Sequence, residues 1–180
     1  MHRLVTLALL ALSVTATSSA GALVWPDVPE RVERGLASPD PTNRRAAARD
    51  IVTLGSARAT PLLLKALGDA DVEVRLAAAQ SAIRIVAPAA TEIAVSWLGE
   101  RDTRLRVVAC EVARTMPNPH AVQPLARALG DSDPQVRAAC ADALGASGSP
   151  EAVAPLSGKL DDATPNVRAE VARALARLGD

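Results

Sequence analysis

The sequence repeats itself every 31 residues over most of its length. An arginine recurs at Arg44, Arg75, Arg106, Arg137 and Arg168, and a leucine recurs with the same spacing at Leu36, Leu67, Leu98, Leu129 and Leu160. A fixed period in this range is typical of solenoids, in which each supersecondary unit buries its apolar face only against its neighbours. The repeat therefore predicts a stack of about five similar units that presents an extended surface.

Each unit contains two helical patterns, which we call helix A and helix B. In helix A an apolar residue stands four positions before the periodic leucine, as Leu63 does before Leu67, and this spacing places both on one buried face. Helix B follows a short acidic turn. It begins after a residue whose side chain can accept hydrogen bonds at a helix N-terminus, and this capping column contains Asp40, Asp71, Asp102, Asp133 and Thr164.

The pattern of helix B points to a known repeat family. The periodic arginine is followed three and four positions later by small residues, such as Ala78 and Ala79 after Arg75. The aspartate, a Val-Arg pair and these small residues, behind an apolar helix A, resemble the HEAT repeat in the short form shared with phycobilisome lyase subunits. Val74-Arg75 and Val136-Arg137 match closely, whereas Asn43-Arg44 departs. The resemblance extends over residues 28–179 and implies an all-α fold, a right-handed α-solenoid of about five two-helix repeats.

The end repeats differ from the middle ones at positions that a neighbouring repeat would cover. Arg31 and Glu33 stand where the second repeat has Leu62 and Leu64, and Ser157 holds the matching position of the last helix A. Polar residues at such positions are typical of the capping repeats of a solenoid. We therefore expect residues 23–180 to form one five-repeat domain, with repeats at about 26–56, 57–87, 88–118, 119–149 and 150–180.

Residues 1–22 have the composition of a secretory signal peptide. A basic start precedes an apolar run of about eleven residues from Leu4 to Val14, and the small residues Ala20-Gly21-Ala22 offer cleavage after Ala20 or Ala22. The run is shorter than the roughly 18 apolar residues of a transmembrane helix. We therefore expect an exported protein, periplasmic or secreted, with no stable membrane insertion after cleavage.

The charge balance argues against nucleic acid as a partner. Twenty basic residues are matched by twenty acidic ones, and the chain contains no Phe or Tyr. A solenoid that binds nucleic acid needs a basic stripe, preferably with aromatic side chains that stack on bases. We expect no nucleic-acid binding, and a monomer in the absence of a partner.

The periodic charges favour a structural role over a binding role. Five arginines in register would suit a row of anions. The resemblance instead implies that the aspartate and arginine bridge neighbouring turns, with the arginine head bonded to carboxylate or carbonyl oxygens. The predicted structural ladder comprises Asp40, Arg44, Asp71, Arg75, Asp102, Arg106, Asp133, Arg137 and Arg168.

No catalytic or metal site can be nominated from the sequence. His120 is the only histidine after the signal peptide and lies between repeats, so a zinc site of His and Cys ligands is not expected. Acidic pairs such as Asp161-Asp162 fall in turns that we expect to be solvated. We therefore expect no enzyme activity, no metal and no cofactor.

Two cysteines occupy small-residue positions of adjacent B helices. Export would place Cys110 and Cys140 in an oxidising compartment. A disulfide requires their Cα atoms to lie within about 7 Å. A disulfide and two buried free thiols remain as alternatives.

Two surface features are candidates for partner binding. On the concave face, which the resemblance assigns to the B helices, Leu76, Ile83 and Val107 are expected to form an apolar group with a polar rim, and such groups often mark protein contacts. Partial burial between helices is the alternative. Trp97 stands in a column of mostly small residues, and we interpret it as a second candidate, an anchor that protrudes from the convex side.

These features favour an exported, non-enzymatic scaffold that binds a protein or peptide on the solenoid surface. The alternative that the resemblance implies is an enzyme or enzyme subunit of the bilin lyase type. Export argues against the alternative, because a bilin lyase acts where chromoproteins assemble inside the cell.

Overall fold

A computed structural model describes residues 27–179, and every regular element in this range is a helix. The predicted signal peptide, residues 1–22, lies outside the described residues. The A helices are α1 (Val28–Leu36), α3 (Ser56–Leu67), α5 (Ala90–Ser96), α7 (Val122–Ala128) and α9 (Val153–Ser157). The B helices are α2 (Pro41–Asp50), α4 (Val72–Ile85), α6 (Thr103–Thr115), α8 (Pro134–Ala146) and α10 (Pro165–Gly179). Five consecutive helix pairs confirm the predicted all-α solenoid.

The four aspartates of the capping column begin their B helices as the sequence predicts, whereas the hydroxyl of Thr164 accepts a hydrogen bond from Arg137. Asp40 accepts a hydrogen bond from the Thr42 N–H at 2.8 Å, and Asp71 accepts from both Glu73 and Val74. Asp102 and Asp133 bind the N–H groups two residues ahead in the same way. Each side chain satisfies a backbone donor that has no partner within the first turn of its helix.

Small residues let successive B helices approach one another closely. Ala48, Ala79, Cys110 and Ala141 occupy one column and are completely buried. Helices α8 and α10 approach so closely that a Cβ on Gly145 would lie only 2.6 Å from the Cα of Ala174. The core therefore runs along the stack, and each repeat is held mainly by its neighbours.

The C-terminal end of α4 is strained. Val86 has φ 51°, in the left-handed region, and the equivalent residue of the fourth repeat is Gly148 with φ 64°. A β-branched residue rarely adopts this conformation, whereas glycine does so readily. At position 86 the local backbone therefore favours a glycine that the sequence does not supply.

Within residues 27–179, none of the helices is both long and apolar enough to cross a membrane.

Candidate functional site

Bidentate ion pairs connect the turn of one repeat to the turn of the next. Nε and Nη2 of Arg106 bind the two carboxylate oxygens of Asp131 at 2.8 and 3.1 Å. Arg44 binds Asp69, and Arg137 binds Asp162, with the same pair of nitrogens. In each case the acceptor lies 25 residues further along the chain.

The same arginines also fix the turn of their own repeat. Nη1 of Arg106 donates to the carbonyls of Glu100 and Arg101 at 2.9 and 3.1 Å. Arg44, Arg137 and Arg168 make equivalent bonds to the carbonyls six and five residues earlier. The geometry therefore supports the structural role predicted for the arginine ladder.

The carboxylates of the ladder differ from those predicted. Asp40, Asp71, Asp102 and Asp133 cap their own helices, while the arginines of the preceding repeats bind the acidic residue two positions before the cap. These acceptors are Asp69, Glu100, Asp131 and Asp162. The sequence analysis missed them, although they recur with the same period of 31 residues.

One of these acceptors overturns the expectation of a solvated acidic turn. The side chain of Asp162 is only 6% exposed. Hydrogen bonds from Arg137, and then from the Thr164 N–H, lower the pKa of the Asp162 carboxyl below its ordinary value. Arg44 lowers the pKa of Asp69 in the same way. The carboxylates therefore stay charged and bind the arginines. We call each ladder arginine with its acceptor a rung. The arginines of these rungs are already neutralised, so they are not free to bind an external anion.

The prediction that Trp97 protrudes from the convex side as an anchor is wrong. Its side chain is 4% exposed, and its ring lies beneath the guanidinium of Arg75, with 5.8 Å from the guanidinium carbon to the ring centroid. Residues Trp97–Gly99 form a short 3-10 turn at the end of α5. This turn places the indole in the core, as Ala66 is in the preceding repeat.

The rung that contains Trp97 has fewer hydrogen bonds than the others. Arg75 donates from Nη1 to Oε1 of Glu100 at 2.8 Å, and its buried Nε has no acceptor among residues 27–179. A cation over an aromatic face is attracted by the ring quadrupole. The Trp97 ring therefore supplies a contact where the other rungs have a second carboxylate oxygen.

The two cysteines are joined in the structure. Cys110 of α6 and Cys140 of α8 form a disulfide with their Cα atoms 4.9 Å apart. Both residues are completely buried, and they belong to two adjacent columns of small residues. The bond links the third repeat to the fourth.

An apolar cleft lies between α4 and α6 and includes two of the three predicted contact residues. Leu76 and Val107 line this cleft of about 290 Å³, together with Gln80, Arg104 and Glu111. Ile83, the third, does not line it, and all three residues also pack against the buried core. All three side chains are half-buried. We call the cleft the α4–α6 cleft.

Charged side chains form the rim of the B-helix surface. Glu73 pairs with Arg45 at 3.3 Å and with Arg104 at 2.6 Å, so one carboxylate holds two guanidinium groups beside the cleft. Further along, Asp142 is shared between Arg114 and Arg177. These shared ion pairs fix the positions of the long arginine side chains around the apolar residues of the cleft.

The A helices form a second opening that the sequence analysis missed. A groove of about 640 Å³ separates α5 from α7 and is lined by Val95, Leu98, Pro124 and Arg127, among others. The period predicts equal repeats, but α5 and α7 contain only seven residues each, whereas α3 contains twelve. No sequence signal indicated this difference.

Residues 27–179 contain no group of three His, Cys, Asp or Glu side chains that could hold a metal ion. His120 is exposed in the short 3-10 turn Pro119–Ala121, between the third and the fourth repeat.

Comparison with known proteins supports the repeat assignment. The chain matches the HEAT repeats over residues 28–104 and 91–176. No curated protein matches the sequence significantly. Similar solved structures include two that cover most of this chain. One is the CpcE–CpcF complex of phycocyanin lyase from Nostoc sp. PCC7120, with a TM-score of 0.64, 20% identity, and coverage of 82% of this chain and 97% of that one.

The other is an engineered protein, with a TM-score of 0.63, 25% identity, and coverage of 86% of this chain and 80% of that one. The similarity to the lyase complex, at 20% identity, shows the fold alone. The match to the repeats covers most of the sequence and coincides with the five helix pairs. The chain therefore belongs to the HEAT-repeat family.

Proposed function

We propose that this protein is an exported, non-enzymatic scaffold that binds a protein or peptide on its B-helix surface. The observation that carries the proposal is the α4–α6 cleft, where Leu76 and Val107 are only half-buried beside a charged rim. Apolar side chains surrounded by polar groups are typical of protein contacts. Because carboxylates occupy the arginines of the ladder, the cleft is the better candidate for binding on this surface.

Export is supported by two independent features. The basic start, apolar run and small residues of positions 1–22 are typical of a signal peptide. The buried disulfide between Cys110 and Cys140 suits an oxidising compartment, since such bonds are rare in reducing ones.

Replacement of Leu76 by glutamate tests the cleft. We expect the variant to lose at least about tenfold in affinity for a partner captured from the envelope fraction, because an apolar residue central to an interface can contribute 2 kcal/mol or more. Ala57→Glu is the matched control. It places the same carboxylate on an exposed apolar residue of the same repeat, outside the cleft.

A thermal melt of both variants separates binding from folding. If Leu76 belongs to the inter-repeat core, a buried carboxylate would cost several kcal/mol and the melting temperature would collapse. That result would remove the cleft from consideration. An unchanged melting temperature with unchanged partner affinity would do the same.

The second candidate function is a subunit of a bilin lyase. It is favoured by the similarity of the fold to the phycocyanin lyase complex, which extends over 97% of that chain. A bilin added to the purified protein should then change its visible absorbance. With no such change, the scaffold function is retained.

A further inference from the structure

The junction between the second and third repeats is fastened less firmly than the others. Arg44, Arg106 and Arg137 each donate at least four hydrogen bonds, which reach the acceptor of the next repeat and the carbonyls of their own turn. Within residues 27–179, Arg75 donates one, from Nη1 to Glu100. This rung therefore joins its two repeats by a single bond to a carboxylate that is 41% exposed.

Each of the other junctions has a second fastening between its B helices. At the first junction the buried hydroxyl of Ser81 donates to the carbonyl of Ala48 at 2.8 Å. At the third junction the disulfide joins Cys110 to Cys140. At the fourth junction α8 and α10 touch at Gly145, where no Cβ would fit.

The contact between α4 and α6 has no such fastening within residues 27–179 and passes through small side chains. Ala79 of α4 and Ala109 of α6 are completely buried, and they occupy the positions that the two cysteines hold one repeat later. The further ion pair that crosses this junction is Glu73–Arg104, whose arginine is 58% exposed. Small side chains interlock little, so two helices that pack through them can shift against each other.

The backbone that connects the second repeat to the third is strained. Val86 follows α4 in the left-handed region, and three residues, Ala87–Ala89, lead from it to α5. Hinges typically consist of a few residues at the ends of elements, where φ and ψ can change. A change of these angles at Val86 would relieve its strain. The connection to the fourth repeat instead contains Pro117 and Pro119, whose rings fix φ.

We propose that the solenoid bends between its second and third repeats, so that the first two repeats move as one body against the last three. The α4–α6 cleft lies between these bodies, with Leu76 on one side and Val107 on the other. Bending therefore sets the width of the cleft and the exposure of both side chains. The inference rests on the proposed scaffold function and adds the regulation of its site, because a partner that inserts between Leu76 and Val107 selects the open form.

Distance measurements on the purified protein test the motion without a partner. Spin labels on non-natural amino acids leave both cysteines unchanged. The first label pair replaces Lys65 and Arg127, and the second replaces Ser96 and Gly158, at the equivalent positions one repeat later; all four positions are exposed. Each pair spans two junctions, but only the first pair spans the junction between the second and third repeats. We expect pulsed electron spin resonance to give a broader distance distribution for the first pair.

An added disulfide should stop the motion. Ala79→Cys with Ala109→Cys repeats, one repeat earlier, the positions of the native disulfide and its separation of 30 residues. The matched control is Ala48→Cys with Ala78→Cys, which places the same bond at the first junction, also between completely buried alanines. Peptide mapping verifies the pairing in both proteins. We expect the first variant to narrow the distribution of the first label pair, and the control to leave it broad.

The same two variants connect the motion to binding. The bond between positions 79 and 109 would hold Leu76 and Val107 in their half-buried state. A partner captured from the envelope fraction should then bind at least about fivefold more weakly, which is the lower end of typical coupling between a conformational change and binding. The control bond should leave the affinity unchanged.

Equal distribution widths for the two label pairs would refute the hinge, and this measurement decides even if the added cysteines do not pair. Equal partner affinities in the locked and control variants would refute the regulation of the cleft. The scaffold function fails in a different way. A broad distribution for the first pair, with no protein captured by any part of the surface, would refute the scaffold function and leave the hinge in place.

Discussion

Replacement of Arg106 by alanine should measure what one inter-repeat ion pair contributes to stability. Arg106 binds both oxygens of Asp131, and the two side chains are only 12% and 11% exposed. A hydrogen bond to a charged group contributes about 1.5–3 kcal/mol, and a stranded partner adds a desolvation cost. Asp131 would keep the N–H of Asp133 at 2.8 Å, which limits that cost. We expect the free energy of unfolding to fall by about 2–3 kcal/mol.

Arg168→Ala is the matched control. It removes the same side chain and the same two bonds to backbone carbonyls, but no carboxylate of a following repeat. Arg168 is exposed, and surface changes usually move stability by about 0.5 kcal/mol or less. The difference between the two variants, about 2 kcal/mol, is therefore the contribution of the inter-repeat pair. In a protein of this size it corresponds to about 4–8 °C in melting temperature.

Urea titrations and thermal melts followed by far-UV circular dichroism measure both variants. Equal losses in Arg106→Ala and Arg168→Ala would refute the reasoning, because the carboxylate would then contribute nothing. An unchanged melting temperature together with lost partner binding would assign the arginine ladder to binding instead.

Three further predictions concern backbone strain, the disulfide and pH. Val86→Gly should raise the free energy of unfolding by about 1 kcal/mol in urea titrations, because relief of a strained left-handed residue exceeds the entropy that glycine adds to the unfolded chain; a lower midpoint would contradict this. Replacement of Cys110 and Cys140 together by alanine should lower the free energy of unfolding by about 3–4 kcal/mol, since the bond closes a loop between positions 30 residues apart. Alkylation of both cysteines in protein purified from its natural source without reduction would show that the bond is absent. Arg137 holds the pKa of Asp162 below its ordinary value, so this pair should stabilise the fold fully above about pH 4 and lose its effect as the pH falls through the folded pKa. In urea titrations across that range, Asp162→Asn should make the free energy of unfolding depend less on pH. An unchanged pH dependence would contradict the assignment.

The sequence predicts the fold well because the 31-residue period identifies the equivalent positions of successive repeats as well as their composition. A helix start is marked independently in four repeats by Asp40, Asp71, Asp102 and Asp133, and each side chain caps its helix as expected. The small-residue columns likewise predict which faces pack. Local signals and the repeat agree at these positions, so the helix pairs follow from the sequence without knowledge of their tertiary contacts.

The ladder acceptors were harder to predict, because each of the three middle turns contains two acidic residues, and both recur with the same period. Asp71 folds back onto the first turn of its own helix, where the N–H groups of Glu73 and Val74 lack other partners. Asp69, two residues earlier, is left to accept the arginine of the preceding repeat. The sequence predicts that a bridge exists, but only the path of the turn decides which carboxylate makes it.

The error at Trp97 has a different cause, since it arises from treating one column in isolation. The same column position is already buried in the second repeat, at Ala66, so the small residues there did not indicate an exposed face. In the third repeat α5 ends early, and the ring enters the core beneath Arg75. The acceptor of the same rung is Glu100, whose side chain is one methylene longer than the aspartate of the other rungs, and it reaches the guanidinium that lies over the ring. Two departures from the repeat, Trp97 and Glu100, therefore belong to one junction, and reading the two columns together would have indicated a buried ring.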